Sequence, residues 1–231
     1  TENMTAKENL YRYYHHQTFE VMPLFGEGEH SFYPVNGFLE RPPMNGGGKD
    51  WFGCEWIYSE LAGAPAPSME HYVLDDICNW REKVIFPDLD AWDWKKAMEE
   101  DQVAAADREH QVVNLVICTG IFERLHTLMG FEESLMAMIT DPEEVEAFFD
   151  RMTEYKIELI EKLHQYYNPD VITFHDDWGT QKAMFFSPEL WRQLLKPRMK
   201  KIVDKAPECG IAFLQHSCGK MDEIIPDICE L

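Results

Sequence analysis

Two short apolar runs between Val171 and Gly219 each end in residues able to do chemistry. The first, Val171-Ile172-Thr173-Phe174, leads into His175-Asp176-Asp177-Trp178, and the second, Ile211 to Gln215, leads into His216-Ser217-Cys218-Gly219. On a strand, residues two apart point to the same side. The imidazole of His216 and the thiol of Cys218 can therefore reach one ion. Nitrogen together with sulfur selects zinc among the common biological metals. Two ligands do not make a site, and the spacing alone leaves open a strand-end histidine bonded to backbone beside an inert buried cysteine. The adjacent carboxylates Asp176 and Asp177 repel, so one can hold a raised pKa and serve as an acid. They can equally anchor loops by accepting N–H bonds, or cap the turn. Trp178-Gly179-Thr180 lets the chain bend sharply and puts an indole beside the pocket. Glu123, one turn into a helix after a third apolar run, can be a further ligand or a partner for a substrate hydroxyl. A salt bridge with Arg124 or another surface cation is the plainer alternative.

The elements that must position these groups follow from periodicity. Val112–Cys118 is apolar and β-branched, the pattern of a strand buried on both faces. Thr119-Gly120 turns it into a helix. Asp141-Pro142-Glu143-Glu144 reads as a helix start, with Asp as N-cap and Pro in the first position, and the helix runs to about Tyr167. Its acidic part, 141–161, reads as a solvated outer face. Ser187-Pro188 starts another helix in the same way, and Met221 starts the last. From residue 112 the order is βαβαβα, which implies a parallel sheet with right-handed crossovers. The absence of a glycine fingerprint disfavours a dinucleotide-binding sheet. Chemically able clusters after successive strands favour a (β/α)8 TIM-type barrel, whose active sites lie at the C-terminal strand ends.

Before residue 110 the pattern is irregular. Residues 4–14 read as a short helix and Val21–Phe25 as a first strand. Gly26–Gly63 is rich in Gly, Pro and aromatics, and the triple Gly46–Gly48 reads as a linker, since it lacks phosphate-loop spacing. Trp51–Trp56 reads as a strand in an antiparallel excursion, and Pro65–Pro67 as a break. Helices are expected over 75–83 and 93–107. The whole is expected to be one domain, 1–231, with 1–110 as an N-terminal excursion plus first units and 111–231 as regular β/α units. A barrel of this kind typically takes about 250 residues. The pattern stops in mid-helix at Ile228-Cys229-Glu230-Leu231, so a truncation before the closing units is expected, with more β/α units beyond Leu231.

Composition narrows the function classes. With 42 Asp and Glu against 21 Lys and Arg, the formal charge is −21. Such a surface disfavours nucleic acid and anionic membranes. No apolar run is long enough to span a bilayer, and the polar N-terminus does not read as a signal peptide. Six scattered cysteines without a CxxC pair point to reduced thiols in a cytoplasm. A small-molecule substrate remains the natural partner, with the oligomeric state open.

The segments FHDDWGTQ, FSPELWRQLLKPRMKKI and QHSCG, in this order, resemble the uroporphyrinogen decarboxylase superfamily. Gly120, Glu123-Arg124, Leu128–Glu132, the start at Asp141-Pro142-Glu143, and Trp51–Trp56 fit the same pattern. The resemblance is dense over roughly 112–231 and thin before it. It implies a (β/α)8 barrel and either a haem-pathway decarboxylase or a corrinoid-dependent methyltransferase. The decarboxylase pattern carries an Arg-x-x-Gly-Arg motif that this chain lacks, and its first hundred residues offer only Arg12, Arg41 and Arg81. A polyanionic tetrapyrrole is hard to hold without guanidinium clamps. The methyltransferases share His-x-Cys, which in them binds zinc together with a cysteine nearer the C-terminus. The resemblance thus implies zinc at His216 and Cys218, with the further ligand beyond Leu231 or replaced by Cys229 or Glu123. It also implies a corrinoid on a partner protein and methyl transfer to or from a thiol or methyl ether, as in O-demethylation. On that reading Asp177 is the candidate acid or substrate anchor, Asp176 and His175 assist, and Glu123 and Trp178 face substrate. A tetrapyrrole lyase and a non-catalytic corrinoid-partner module are the alternatives.

Overall fold

The computed structural model describes residues 4–24, 26–34, 40–42, 46–61 and 63–231. In chain order the elements are α1 (Ala6–Tyr14), β1 (Glu29–Phe32), β2 (Gly48–Lys49), β3 (Glu55–Ser59), β4 (Ala64–Pro67), α2 (Trp80–Lys83), α3 (Trp94–Glu100), β5 (Val112–Ile117), α4 (Ile121–Met129), α5 (Phe131–Thr140), α6 (Pro142–Tyr167), β6 (Val171–His175), α7 (Pro188–Leu194), α8 (Lys196–Glu208), β7 (Ala212–His216) and α9 (Ile225–Ile228).

Strands β1, β5, β6 and β7 form one parallel sheet in that spatial order. Its strands alternate with helices from residue 112 on, and the fold is α/β of the TIM-barrel type. The four strands make an arc that does not close among the described residues. Alternation along the strands sorts the two faces. Leu115, Ile117, Ile172 and Phe174 point outward into the main core, where they meet Phe122 and Leu125 of α4 and Phe148, Met152, Tyr155 and Leu159 of α6. Val112, Val171 and Ala212, at the strand starts, point the other way and meet Leu10 of α1. Helix α1 thus covers the N-terminal end of the arc's inner face, and the opposite end is left for chemistry.

Helix α6 presents one apolar stripe, Val145, Phe148, Phe149, Met152, Tyr155, Leu159, Ile160 and Leu163, all buried. Its period of three and four is that of a core-facing helix, so only the opposite side is the solvated acidic face. Pro142 occupies the first turn, but Asp141 does not cap it; its carboxylate takes the Thr140 hydroxyl at 2.6 Å instead. Ser187 does cap α7, accepting from Leu190 N at 3.1 Å.

The N-terminal part departs from the sequence expectation in several places. Val21–Leu24 form no strand and Val21, Met22 and Leu24 are exposed; Phe25 lies outside the described residues. The first strand is instead Glu29-His30-Ser31-Phe32, an edge strand whose polarity hides it from a hydrophobicity pattern. Residues 51–54 form a turn, with the strand beginning at Glu55. Gly48-Lys49 pairs with it, so the glycine run is partly strand. The Pro65–Pro67 segment pairs on its other side, because an edge strand tolerates residues that cannot donate to the ladder. The helices expected over 75–83 and 93–107 are shorter, each joined to a 3-10 turn.

This excursion is tied to the barrel by buried charge. Arg124 of α4 is wholly buried. It donates to Asp50 at 2.6 Å and to the Glu40 carboxylate, and its guanidinium lies 4.3 Å from the Phe52 ring. Lys156 of α6, also fully buried, donates to the other Glu40 oxygen at 2.5 Å and to Thr119 O at 2.8 Å. Asp50 in turn accepts from Phe52 N, Cys54 N and Trp56 Nε1. Of the cations open to Glu123, Arg124 is not its partner; Arg41 is, at 3.9 Å. Consecutive residues on a helix face different ways, and Arg124 turns to the excursion while Glu123 turns to the barrel mouth.

Candidate active site at the strand ends

His175 and His216 are direct partners in the parallel register of β6 and β7. Both lie at C-terminal strand ends, in phase with Val171 and Ala212, so both face the interior of the arc. Their rings stack with centroids 4.1 Å apart and 20° between planes. Asp177, two residues past His175, returns to the same side. Its Oδ1 lies 3.7 Å from His216 Nε2 and 3.9 Å from His175 Nδ1, and it accepts the Cys218 backbone N–H at 2.6 Å. The Cys218 sulfur lies 3.5 Å from His216 Nε2. One donor atom each from His175, Asp177 and His216 falls within 4.8 Å of the others. Side-chain exposure of 21% for His175, 24% for Asp177 and 43% for His216 leaves all three open to a ligand.

Glu123 supports this group from the first turn of α4. Its Oε1 lies 2.9 Å from His175 Nδ1 and accepts the Asp177 N–H at 3.2 Å. Its other oxygen is 3.9 Å from the Arg41 guanidinium, which itself lies 5.7 Å from the Trp56 ring. Burial disfavours charge on both Glu123 and His175, but their mutual attraction wins. The Glu123 pKa is held below the usual range and that of His175 above it. Burial and the neighbouring His175 charge push His216 down. Burial, with Asp177 close by, pushes the Cys218 thiol up. Nothing local in the sequence links Arg41 to Glu123, so its place beside the cluster is visible only in the structure.

Asp176 and Trp178 take the opposite direction, as strand alternation requires. Asp176, expected to assist in chemistry, and Trp178, expected beside substrate, are both fully buried, away from a ligand at the mouth. The Asp176 carboxylate sits at the N-terminus of α4, where helix N–H groups lack partners. It accepts from Phe122 N at 3.2 Å, Glu123 N at 2.9 Å and Trp178 Nε1 at 2.8 Å. Trp178 packs edge-on to Trp191, centroids 5.3 Å apart. Together they hold the β6 end against α4 and so position Glu123. Gly120 is required here, because a Cβ would fall 2.5 Å from that of Asp176. The loops after β6 and β7 also touch backbone to backbone: a Cβ on Gly219, at φ +86°, would fall 2.1 Å from Gly179 O.

Burial and the nearby Glu123 push the Asp176 pKa up to about 7, against the pull of its three donors. The folded chain therefore keeps this proton to higher pH than the unfolded chain does. The contribution of Asp176 to stability is greatest below the ordinary carboxylate range and falls as pH rises through about 7, by about 1.4 kcal/mol per unit of pKa difference. Asp176→Asn removes that slope. Denaturant titrations of wild type and variant from pH 4 to 8 are expected to shift in the variant's favour as pH rises; parallel curves would contradict this.

No helix among the described residues is long and apolar enough to cross a membrane. No curated protein matches the chain significantly. Among solved structures, a methyltransferase from Methanosarcina mazei shares the fold with a TM-score of 0.58 and 19% identity, over 78% of this chain and 50% of that one. This chain thus spans about half the length of that protein. The family model for uroporphyrinogen decarboxylase (URO-D) matches residues 50–231, which takes in β3, β4 and every strand-end residue described above. On that match the chain is a member of the uroporphyrinogen decarboxylase (URO-D) family.

Proposed function

We propose that this chain carries the site of a zinc-assisted methyltransferase, which moves a methyl group between a small thiol or methyl ether and a corrinoid borne by a partner protein. The observation that carries the reading is the meeting of two imidazoles, a carboxylate and a thiol at the C-terminal ends of β6 and β7. Nitrogen, oxygen and sulfur donors of this kind suit zinc, and a site for an anionic tetrapyrrole would need more guanidinium than Arg41, the one that contacts the cluster among the described residues. His216 and Cys218 would hold the ion. When bound, zinc supplies Lewis acidity that favours the anionic form of a coordinated sulfur or oxygen. Asp177, held by the Cys218 N–H and 24% exposed, is placed to anchor the substrate or exchange a proton with it. His175 and Glu123 keep that carboxylate and His216 in place, and the buried Asp176–Trp178 pair fixes the turn beneath them.

The test is methyl transfer between a corrinoid protein and a panel of thiols and aryl methyl ethers, read by corrinoid absorbance. Wild type is expected to transfer methyl and His216→Ala to lose about 2–4 orders of magnitude in rate, the scale of removing a principal electrostatic group. A zinc-free protein that keeps full activity as His216→Ala would overturn the reading.

A further inference from the structure

The donors at the mouth extend beyond the His216–Cys218 pair. Two donor atoms bound to a tetrahedral zinc at about 2.0–2.2 Å stand about 3.3–3.6 Å apart. Asp177 Oδ1 is 3.7 Å and Cys218 Sγ 3.5 Å from His216 Nε2, so these groups already stand near the required spacing. His175 belongs to the same convergent set, and it is in register with His216 across the sheet. Its Nδ1 faces Glu123 at 2.9 Å. A carboxylate in that position fixes the tautomer of a ligating imidazole and leaves the other ring nitrogen free for metal. Glu123 is itself pinned by the Asp177 N–H, so the orienting group and the ligands share one frame.

We infer that His175 and Asp177 ligate the same divalent ion as His216, so that the metal centre is built by the ends of both β6 and β7 and not by the β7 loop alone, with Glu123 as the positioning residue for His175. The inference rests on the metal reading above but not on the reaction, and it gives the Asp177 carboxylate to the ion in place of the substrate. The nitrogen, nitrogen, oxygen set from rigid strand ends holds the ion; Cys218 adds a sulfur from the following loop and gives up that fourth position when a substrate sulfur or oxygen coordinates.

The full chain, freed of metal, is titrated with Zn²⁺ by calorimetry and with Co²⁺ by visible absorption. Wild type is expected to bind about one ion per chain. His175→Ala and Asp177→Asn are expected to weaken binding at least about 100-fold, as His216→Ala does, and Glu123→Gln roughly 10–100-fold. In Cys218→Ser the Co²⁺ complex should lose its sulfur charge-transfer band and keep its ligand-field bands. Far-UV circular dichroism and melting of the metal-free variants check the fold, with His175→Gln as the milder change should the alanine variant fail to fold. Wild-type zinc affinity in both His175→Ala and Asp177→Asn, with loss in His216→Ala, would overturn the inference and leave the reaction standing. Ion binding by these residues in a protein that transfers no methyl group would overturn the reaction and leave the ligand assignment standing.

Discussion

Arg124→Met is expected to destabilise the chain by about 3–5 kcal/mol, the cost of breaking a buried ion network by removing one partner. Methionine fills much of the same volume, so packing against Phe52 is largely kept. What is lost is the only guanidinium between Glu40 and Asp50 among the described contacts. Asp50 keeps three N–H donors and Glu40 keeps Lys156, but the two carboxylates then share one cation, and the charge of Asp50 is left unbalanced. Lysine at this position retains the charge and loses the fork that reaches both carboxylates, so Arg124→Lys should fall between wild type and Arg124→Met. Urea titration measures the difference. Hydrogen exchange should show the excursion, residues 46–59, loosening before the parallel sheet. A change under 1 kcal/mol in Arg124→Met would show that water or rearrangement satisfies the two carboxylates.

Trp178→Ala is expected to cost about 3–5 kcal/mol, as deletion of a fully buried aromatic does. Two effects add. The ring leaves a void against Trp191, and Asp176 loses one of its three donors. Trp178→Phe separates them, because it keeps much of the volume and removes only the N–H; its cost should be about 1–3 kcal/mol. Both variants should also weaken metal binding, since the turn the ring supports carries Asp177 and is joined to the β7 loop by the Trp178 backbone N–H, which donates to the Ser217 hydroxyl at 2.9 Å. Stability measured by denaturant and affinity measured by zinc titration should fall together across the pair. Equal stability of the alanine and phenylalanine variants would contradict the division.

These two residues also mark what could not be read from the chain. The strands and helices after residue 112 announce themselves through β-branched runs and Ser-Pro or Asp-Pro starts, and the strand-end cluster followed from them. Phase along β6 divides that cluster into His175 and Asp177 facing the mouth and Asp176 and Trp178 facing the core. Alternation permits this division to be drawn from sequence, but an indole beside two carboxylates looks as fit for substrate as for packing. The partners of Arg124 were not legible at all. Glu40 and Asp50 lie 84 and 74 residues away, in a segment with no periodicity to place it. The adjacent Glu123 offered an attractive local pairing that the helix geometry does not allow. β1 escaped for a related reason: an edge strand of Glu, His, Ser and Phe is less apolar than Val21–Leu24, which stays in solvent.

The central claim is a metal centre at the ends of β6 and β7. Elemental analysis of the purified chain, wild type beside His216→Ala, tests it most directly. The account predicts about one zinc per wild-type chain and near none in the variant. No metal in wild type after zinc is offered, or equal zinc in both, would contradict it.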